Sequence, residues 1–90
     1  MSTNFFGMNI EAVEQFAQQL GQKAQEIDTL AQQLNQALST TEWVGPDATS
    51  FRNDWQSTHM TSLRNVSQAL RDAQTKANRN ANEQRNTSGS

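Results

Sequence analysis

Few residues of this 90-residue chain have side chains that could perform chemistry, and they are scattered along it. Cysteine and tyrosine are absent and His59 is the single histidine, so the sequence predicts no metal cluster and no catalytic triad. The carboxylates Glu11, Glu14, Asp28 and Asp54 are spaced without the pairing that acid–base catalysis uses. No glycine-rich phosphate loop is present. We therefore expect a protein that is not an enzyme and that binds neither cofactor nor metal.

Composition and charge make nucleic acids and membranes poor candidates for partners. The net charge is -2, and Asp47, Asp54 and Asp72 interrupt the arginines of the second half, whereas nucleic-acid binders usually carry a basic face. No apolar run approaches the ~20 residues of a membrane span. The first eight residues have neither the basic nor the apolar region of a secretory signal peptide. We expect no nucleic-acid binding, no stable membrane insertion and no cleavable signal.

The chain is too small and too polar to build a thick core alone. Only 33% of its residues are hydrophobic, and it has no cysteine for a disulfide. Chains of this size often obtain only about 3–5 kcal/mol from a single core and use oligomerisation to gain more. Acidic residues dominate before Gly45 and basic residues after it, so the two halves should attract one another.

A long helix is predicted over residues 9–40, with Asn9 as its N-cap and Glu11 in its first turn. Its apolar positions alternate steps of three and four, which is the pattern of a packed helical seam. The seam positions are Ile10, Val13, Ala17, Leu20, Ala24, Ile27, Ala31, Leu34 and Leu38. Phe16, Leu30 and Ala37 widen the stripe on one flank. Several alanines in the seam would let a neighbouring helix approach closely.

A turn is predicted over residues 41–46 and a second helix over residues 46–81, with Pro46 suited to its first position. Its stripe comprises Ala48, Phe51, Trp55, His59, Leu63, Val66, Leu70, Ala73 and Ala77. Steps of four in the middle make this stripe drift around the helix. Residues 82–90 have almost nothing to bury and are predicted to form a disordered tail, and residues 1–8 an N-terminal arm.

The predicted fold class is all-α: an antiparallel two-helix hairpin that dimerises into a four-helix bundle. One hairpin has a single seam and would leave much of the broad apolar face in water, and docking two hairpins removes that exposure. The residues predicted to form the hairpin or dimer interface are Ile10, Val13, Phe16, Leu20, Ile27, Leu30, Leu34, Leu38, Phe51, Trp55, His59, Leu63, Val66 and Leu70.

The tripeptide Trp43-Val44-Gly45 stands at the midpoint, between the two helical stripes, with Phe51 and Trp55 just after it. In this position it resembles the signature of the WXG family of small, early-secreted-antigen-like proteins. The resemblance covers Asn9 to about Ala81. It implies export by a type VII secretion system as a folded homodimer or heterodimer with another WXG-type chain, without a cleaved signal peptide.

The resemblance also implies a role for Trp43 and Gly45, because the family's Trp-Xaa-Gly turn forms a composite export signal. The other half of that signal is a Tyr-Xaa-Xaa-Xaa-Asp/Glu motif near the end of the partner's second helix. This chain departs from the pattern: it has no tyrosine, and Arg79 stands four residues before Glu83. A second protein could supply the motif, a divergent tail could replace it, or export could follow another route.

Two functions follow as hypotheses. The first is a secreted, non-enzymatic adaptor that acts through protein–protein contacts and whose turn is recognised by the secretion ATPase. The second is a helical partner or chaperone-like module that stays inside the cell and serves a larger exported protein.

Overall fold

The computed structural model describes residues 7–89, which form one elongated helical hairpin measuring 65 × 18 × 15 Å. Helix α1 comprises Ile10–Thr40, and a short turn connects it to helix α2 over Pro46–Asp54. One π-helical turn, Trp55–His59, joins α2 to helix α3 over Met60–Gly89 without a break in direction. We call residues 46–89 the second arm. The described residues contain no β-strand, so the all-α hairpin is confirmed.

Helix α1 begins directly after its N-cap residue, Asn9. The Asn9 side chain accepts a hydrogen bond of 3.0 Å from the backbone N–H of Ala12, which satisfies one of the free donors at the helix start. Glu11 in the first turn adds a favourable interaction with the helix dipole. At the other end the helix stops at Thr40, and the N–H of Thr41 bonds to the carbonyl of Leu38. The observed helix therefore starts one residue later than the predicted range of 9–40.

The turn depends on Gly45. This residue has a φ of +119° and a ψ of 175°, a conformation that side chains strongly disfavour. Pro46 then begins α2, where its missing N–H costs no hydrogen bond. The carbonyl of Gly45 accepts the first bond of the helix, from the N–H of Thr49 at 3.0 Å. A reversal this tight brings the second arm back along α1.

Small side chains form the seam between α1 and the second arm. The buried apolar positions of the described residues are Ala17, Ala24, Ala31, Ala48, Met60 and Ala81. Three of them lie seven residues apart in α1, as in a coiled-coil seam. The Gln74 side chain packs over Gly21, where an added Cβ would lie 2.6 Å from the amide nitrogen of Gln74. Alanine and glycine permit this approach, since larger side chains would hold the helices apart.

The π-helical turn corrects the drift of the second stripe. Phe51, Trp55, His59 and Leu63 follow one another in steps of four, and an α-helix would rotate each about 40° from the last. In the π turn, the N–H of Met60 bonds to the carbonyl of Trp55 five residues earlier. This wider turn holds more residues, so the apolar positions on both sides of it stay on one side of the hairpin. The steps of four residues were the available signal in the sequence, but the sequence analysis predicts no π turn.

The end of the second arm differs from the prediction. A disordered tail was expected over residues 82–90, but α3 continues to Gly89. Ala81 is completely buried, and Arg85 Nη2 lies 2.7 Å from Glu14 Oε1, so α1 supports the last turns of α3. Of the predicted N-terminal arm, residues 1–6 lie outside the described part of the chain, as does residue 90 of the tail.

Enlarging a seam residue should destabilise the hairpin. Ala24 is fully buried, so the substitution Ala24→Leu would force the helices apart and lower the free energy of unfolding by about 1–3 kcal/mol. Chemical denaturation followed by circular dichroism, at one fixed protein concentration, measures this change. Ala12→Leu places the same side chain at an exposed position of α1 and should leave the free energy nearly unchanged. Equal stability of the two variants would contradict a close-packed alanine seam.

Candidate functional site

One side of the hairpin is polar and joins the arms through side-chain bonds. One flank of α1 carries Glu14, Gly21, Asp28 and Asn35, which lie three positions before Ala17, Ala24, Ala31 and Leu38. We call this flank, together with the residues that contact it, the polar side. At its centre Arg71 Nη2 lies 2.7 Å from Asp28 Oδ2. Arg71 Nη1 donates to the hydroxyl of the buried Ser67, which lies 3.2 Å from the carbonyl oxygen of Ala24.

Two more contacts bridge the arms toward the ends of the polar side. Arg85 Nη2 donates to Glu14 Oε1 at 2.7 Å, far from the turn. Near the turn, the Asn35 side-chain oxygen accepts hydrogen bonds from the Gln56 amide and from the indole N–H of Trp55, at 2.5 and 3.2 Å. Among the described residues, both ion pairs between the arms run from an acid of α1 to an arginine of the second arm, as the charge asymmetry predicts.

The opposite side of the hairpin is apolar. The flank of α1 away from the polar side carries Val13, Leu20, Ile27 and Leu34, which lie four positions before Ala17, Ala24, Ala31 and Leu38. We define the apolar face as Phe16, Leu20, Ile27, Leu30, Leu34 and Ala37 of α1 with Phe51, Leu63, Val66, Leu70, Ala73 and Ala77 of the second arm. Its large side chains are only partly covered: Phe16 is 56% exposed and Val66 48%. A face of this composition is typical of an interaction surface.

None of the fourteen predicted interface residues, all of which are described, is buried within the single hairpin. Half-buried are Ile10, Val13, Leu20, Ile27, Leu38, Trp55, Leu63 and Leu70, and exposed are Phe16, Leu30, Leu34, Phe51, His59 and Val66. Alanines fill most of the seam instead, and Met60 is the one large apolar side chain buried there among the described residues. The larger residues are displaced to the flank, where a single chain has nothing to cover them.

A cleft of about 230 Å³ opens at the end of the apolar face nearest the turn. It is lined by Leu34, Ala37, Leu38, Thr41, Phe51 and Trp55, and we call it the turn-end cleft. Ala37 is the smallest of its lining side chains. The exposed His59 continues the wall beyond the cleft, with its ring centroid 6.0 Å from that of Trp55.

The tip of the hairpin presents the Trp-Val-Gly tripeptide. Trp43 packs against Phe51, with ring centroids 5.3 Å apart and planes tilted by 50°. It remains 37% exposed, while Val44 beside it is 92% exposed. The tip is thus a small apolar surface next to the apolar face, and the positive φ of Gly45 sets its shape.

Arg52 fixes this tip, although the sequence gives it no predicted role. Its guanidinium donates to the carbonyl oxygens of Trp43, Thr41 and Leu38 at 2.7, 3.0 and 3.4 Å. A cation also interacts favourably with the negative end of the α1 dipole. This role could have been predicted from the sequence, because an arginine that closely follows the turn is within reach of the carbonyl groups at the end of the preceding helix.

The described residues contain no group of three or more His, Cys, Asp or Glu side chains able to hold a metal ion. Within the same part of the chain, no helix combines the length and the apolar character of a membrane span. Comparison with protein-family models, curated proteins and solved structures finds no match for this chain.

Removing the Arg52 side chain should loosen the tip. Arg52→Ala deletes charge-assisted bonds to three carbonyls, and we expect the free energy of unfolding to fall by about 1–2 kcal/mol. The fluorescence of Trp43 should also become more accessible to a soluble quencher, measured in a Trp55→Phe background. Arg64→Ala removes an exposed arginine away from the turn and serves as the control. Unchanged quenching in Arg52→Ala would contradict this role.

Stability should depend on pH through Asp28. Hydrogen bonding from Ser67 and then from Arg71 holds the pKa of the Asp28 carboxyl below its ordinary value of 3.8. Because the folded state favours the carboxylate, its contribution is present above pH 3.8 and is lost as the pH falls through the lowered pKa. Asp28→Asn should therefore be less stable than the wild type at pH 7, with the difference shrinking in acid. Denaturation at several pH values tests this, with Asp54→Asn as control. A pH-independent difference would contradict it.

Proposed function

We propose that this chain is a non-enzymatic pairing protein whose apolar face docks on a second helical hairpin to form a four-helix bundle. The observation that carries the proposal is the separation of small residues into the seam and large ones onto the exposed face. Phe16, Leu30, Leu34, Phe51 and Val66 are all more than two-fifths exposed. Side chains this large gain free energy when another apolar surface covers them.

The accessible surface supports the same proposal. The chain exposes 6607 Å², whereas a compact monomer of 10.1 kDa exposes roughly 5,300 Å². The excess of roughly 1,300 Å² is larger than the ~800 Å² that each partner contributes to a standard stable interface. A hairpin 65 Å long and only 15 Å deep has this excess because it is thin and elongated.

We further propose that the protein is of the WXG type and that a type VII secretion system exports it as a folded dimer, without a cleaved signal peptide. The support is the sequence resemblance together with the tip, where Trp43 rests on Phe51 beside an exposed Val44. In this proposal the secretion ATPase, or a protein acting with it, recognises Trp43 and Gly45. Neither nucleic acid nor stable membrane insertion has a role.

Replacing Trp43 should block export and leave the bundle intact. In the native host, Trp43→Ala should lower the amount of protein in the medium at least about tenfold, because the tip loses its recognised ring. Immunoblots of medium and cell fractions measure this, with circular dichroism of the purified variant as a folding check. Val44→Ala alters the neighbouring, more exposed residue and should be exported normally.

Two results would count against export through the turn. If Trp43→Ala reaches the medium at the normal level, the tip is not the recognised element. If the unaltered chain stays in the cell while the secretion system is active, the intracellular partner or chaperone-like role replaces the secreted one.

A further inference from the structure

We propose that Asn35 is the residue that positions the tip, because it holds the π turn that keeps α2 in phase with α3. The inference rests on the proposed recognition of the tip and identifies what sets the tip's orientation. It follows from the spacing of the buried residues of the second arm, from the hydrogen bonds that Asn35 accepts, and from the contacts that α2 makes with α1.

The second arm has one residue more between α2 and α3 than a regular helical seam allows. In α3, the buried Met60, Ser67 and Ala81 are spaced by multiples of seven residues, as in a helical seam. The half-buried Arg52 lies eight residues before Met60, and the buried Ala48 lies four residues before Arg52. In a continuous α-helix, the eighth residue would turn α2 by about 100° away from the seam.

Contacts with α1 show the same extra residue. Ser67 donates to the carbonyl oxygen of Ala24 at 3.2 Å, so these two residues lie at one level of the antiparallel hairpin. Leu38 lies fourteen residues further along α1, and the exposed Asn53 lies fourteen residues back along the second arm. The residue that contacts the Leu38 carbonyl oxygen, however, is Arg52, one position earlier. The π turn lies between these two levels and absorbs the additional residue.

Asn35 holds the π turn from the opposite helix. Its side-chain oxygen accepts hydrogen bonds from the indole N–H of Trp55 at 3.2 Å and from the amide of Gln56 at 2.5 Å. These donors are the first two residues of the π turn. A π-helix is rare and occurs mostly as a single turn inside an α-helix, frequently at a functional site. Because the regular α-helix is the ordinary state, we expect the second arm to need this support from α1.

α2 is the part that would move if the π turn were lost. α3 is 30 residues long, and Ser67, Arg71 and Arg85 connect it to α1. α2 has nine residues and a single buried position, Ala48. Conversion of the π turn into an α-helical turn would therefore rotate α2, expose Ala48 and draw Arg52 away from its three carbonyl oxygens. The orientation of the tip would change with α2.

Thiol labelling measures the position of α2, since the chain has no cysteine of its own. Ala48 is 1% exposed, so the thiol of Ala48→Cys should react slowly. Adding Asn35→Ala should raise the labelling rate at least roughly tenfold, because the loss of two hydrogen bonds favours the state in which α2 is turned away from α1. Asn35→Asp keeps an acceptor oxygen and should stay within about twofold of the wild-type rate. Labelling that Asn35→Ala leaves unchanged overturns the inference.

A second thiol position distinguishes a rotation of α2 from a general loss of stability. Ala24 is completely buried beside α3, away from the π turn. The thiol of Ala24→Cys should react at the same rate, within about twofold, with and without Asn35→Ala. An equal rise in the labelling of Ala48→Cys and Ala24→Cys would mean that Asn35 only stabilises the hairpin, and it overturns the inference.

Deleting the extra residue should make Asn35 unnecessary. Thr58 is exposed within the π turn, and its deletion places Met60 seven residues after Arg52, the spacing of a continuous α-helical seam. In the chain without Thr58, Asn35→Ala should leave the labelling of Ala48→Cys within about twofold, since no π turn remains to be held. A tenfold effect of Asn35→Ala that persists after the deletion overturns the inference.

Deletion of Ala69 is the matched control. Ala69 is also exposed, but it lies between Ser67 and Ala81, so its deletion breaks the spacing of the seam inside α3. We expect this deletion to lower the midpoint of thermal unfolding by at least roughly 10 °C, and the deletion of Thr58 to change it by less than roughly 5 °C. Circular dichroism measures both midpoints. Equal destabilisation by the two deletions overturns the inference.

Export separates the inference from the proposed function. Asn35→Ala should lower the amount of protein in the medium at least roughly threefold, because the tip is correctly oriented for only part of the time, and deletion of Thr58 should restore it. If Asn35→Ala exposes the thiol at position 48 but is exported normally, the inference stands and recognition of the tip fails. If Trp43→Ala blocks export while Asn35→Ala leaves the labelling unchanged, recognition of the tip stands and the inference fails.

Discussion

The close approach of two helices along a line of alanines is the constraint on which the rest of this structure depends. Ala17, Ala24 and Ala31 are almost completely buried, and a methyl group is nearly all that fits between α1 and the second arm. Such a seam buries little apolar surface per residue and so contributes little hydrophobic stabilisation. The polar contacts on one flank of the hairpin add further stability.

The two flanks of the hairpin differ in how they contribute to its structure. On the polar side, ion pairs and a buried hydroxyl connect the arms at defined levels, and so set their register. Partly exposed ion pairs of this kind contribute little free energy, but they oppose sliding of one helix along the other. On the apolar face, large side chains have one edge against the neighbouring arm and the other in water. The polar flank thus aligns the two arms, while the apolar flank leaves large side chains partly exposed.

The tip is built from backbone constraints more than from packing. Gly45 adopts a φ of +119°, and Pro46 starts the next helix. Arg52 donates to three carbonyl oxygens at the end of α1 and in the turn, those of Leu38, Thr41 and Trp43. Trp43 is consequently held on Phe51 in one orientation, with an exposed valine beside it. A surface held in this way would lose little conformational freedom if it bound a partner.

The sequence by itself determined the helices, the turn and the presence of an apolar stripe, because periodicity, an N-cap, a glycine and a proline act locally. It also indicated which arm is acidic and which basic. Only the tertiary structure decided which apolar residues are buried: five alanines and Met60 are covered, while the leucines of the same stripes stay half-buried or exposed, and this depends on both helices at once. The same holds for the π turn and for Arg52. α3 also continues past Ala81, where Arg85 contacts Glu14 of α1, a residue distant in the sequence.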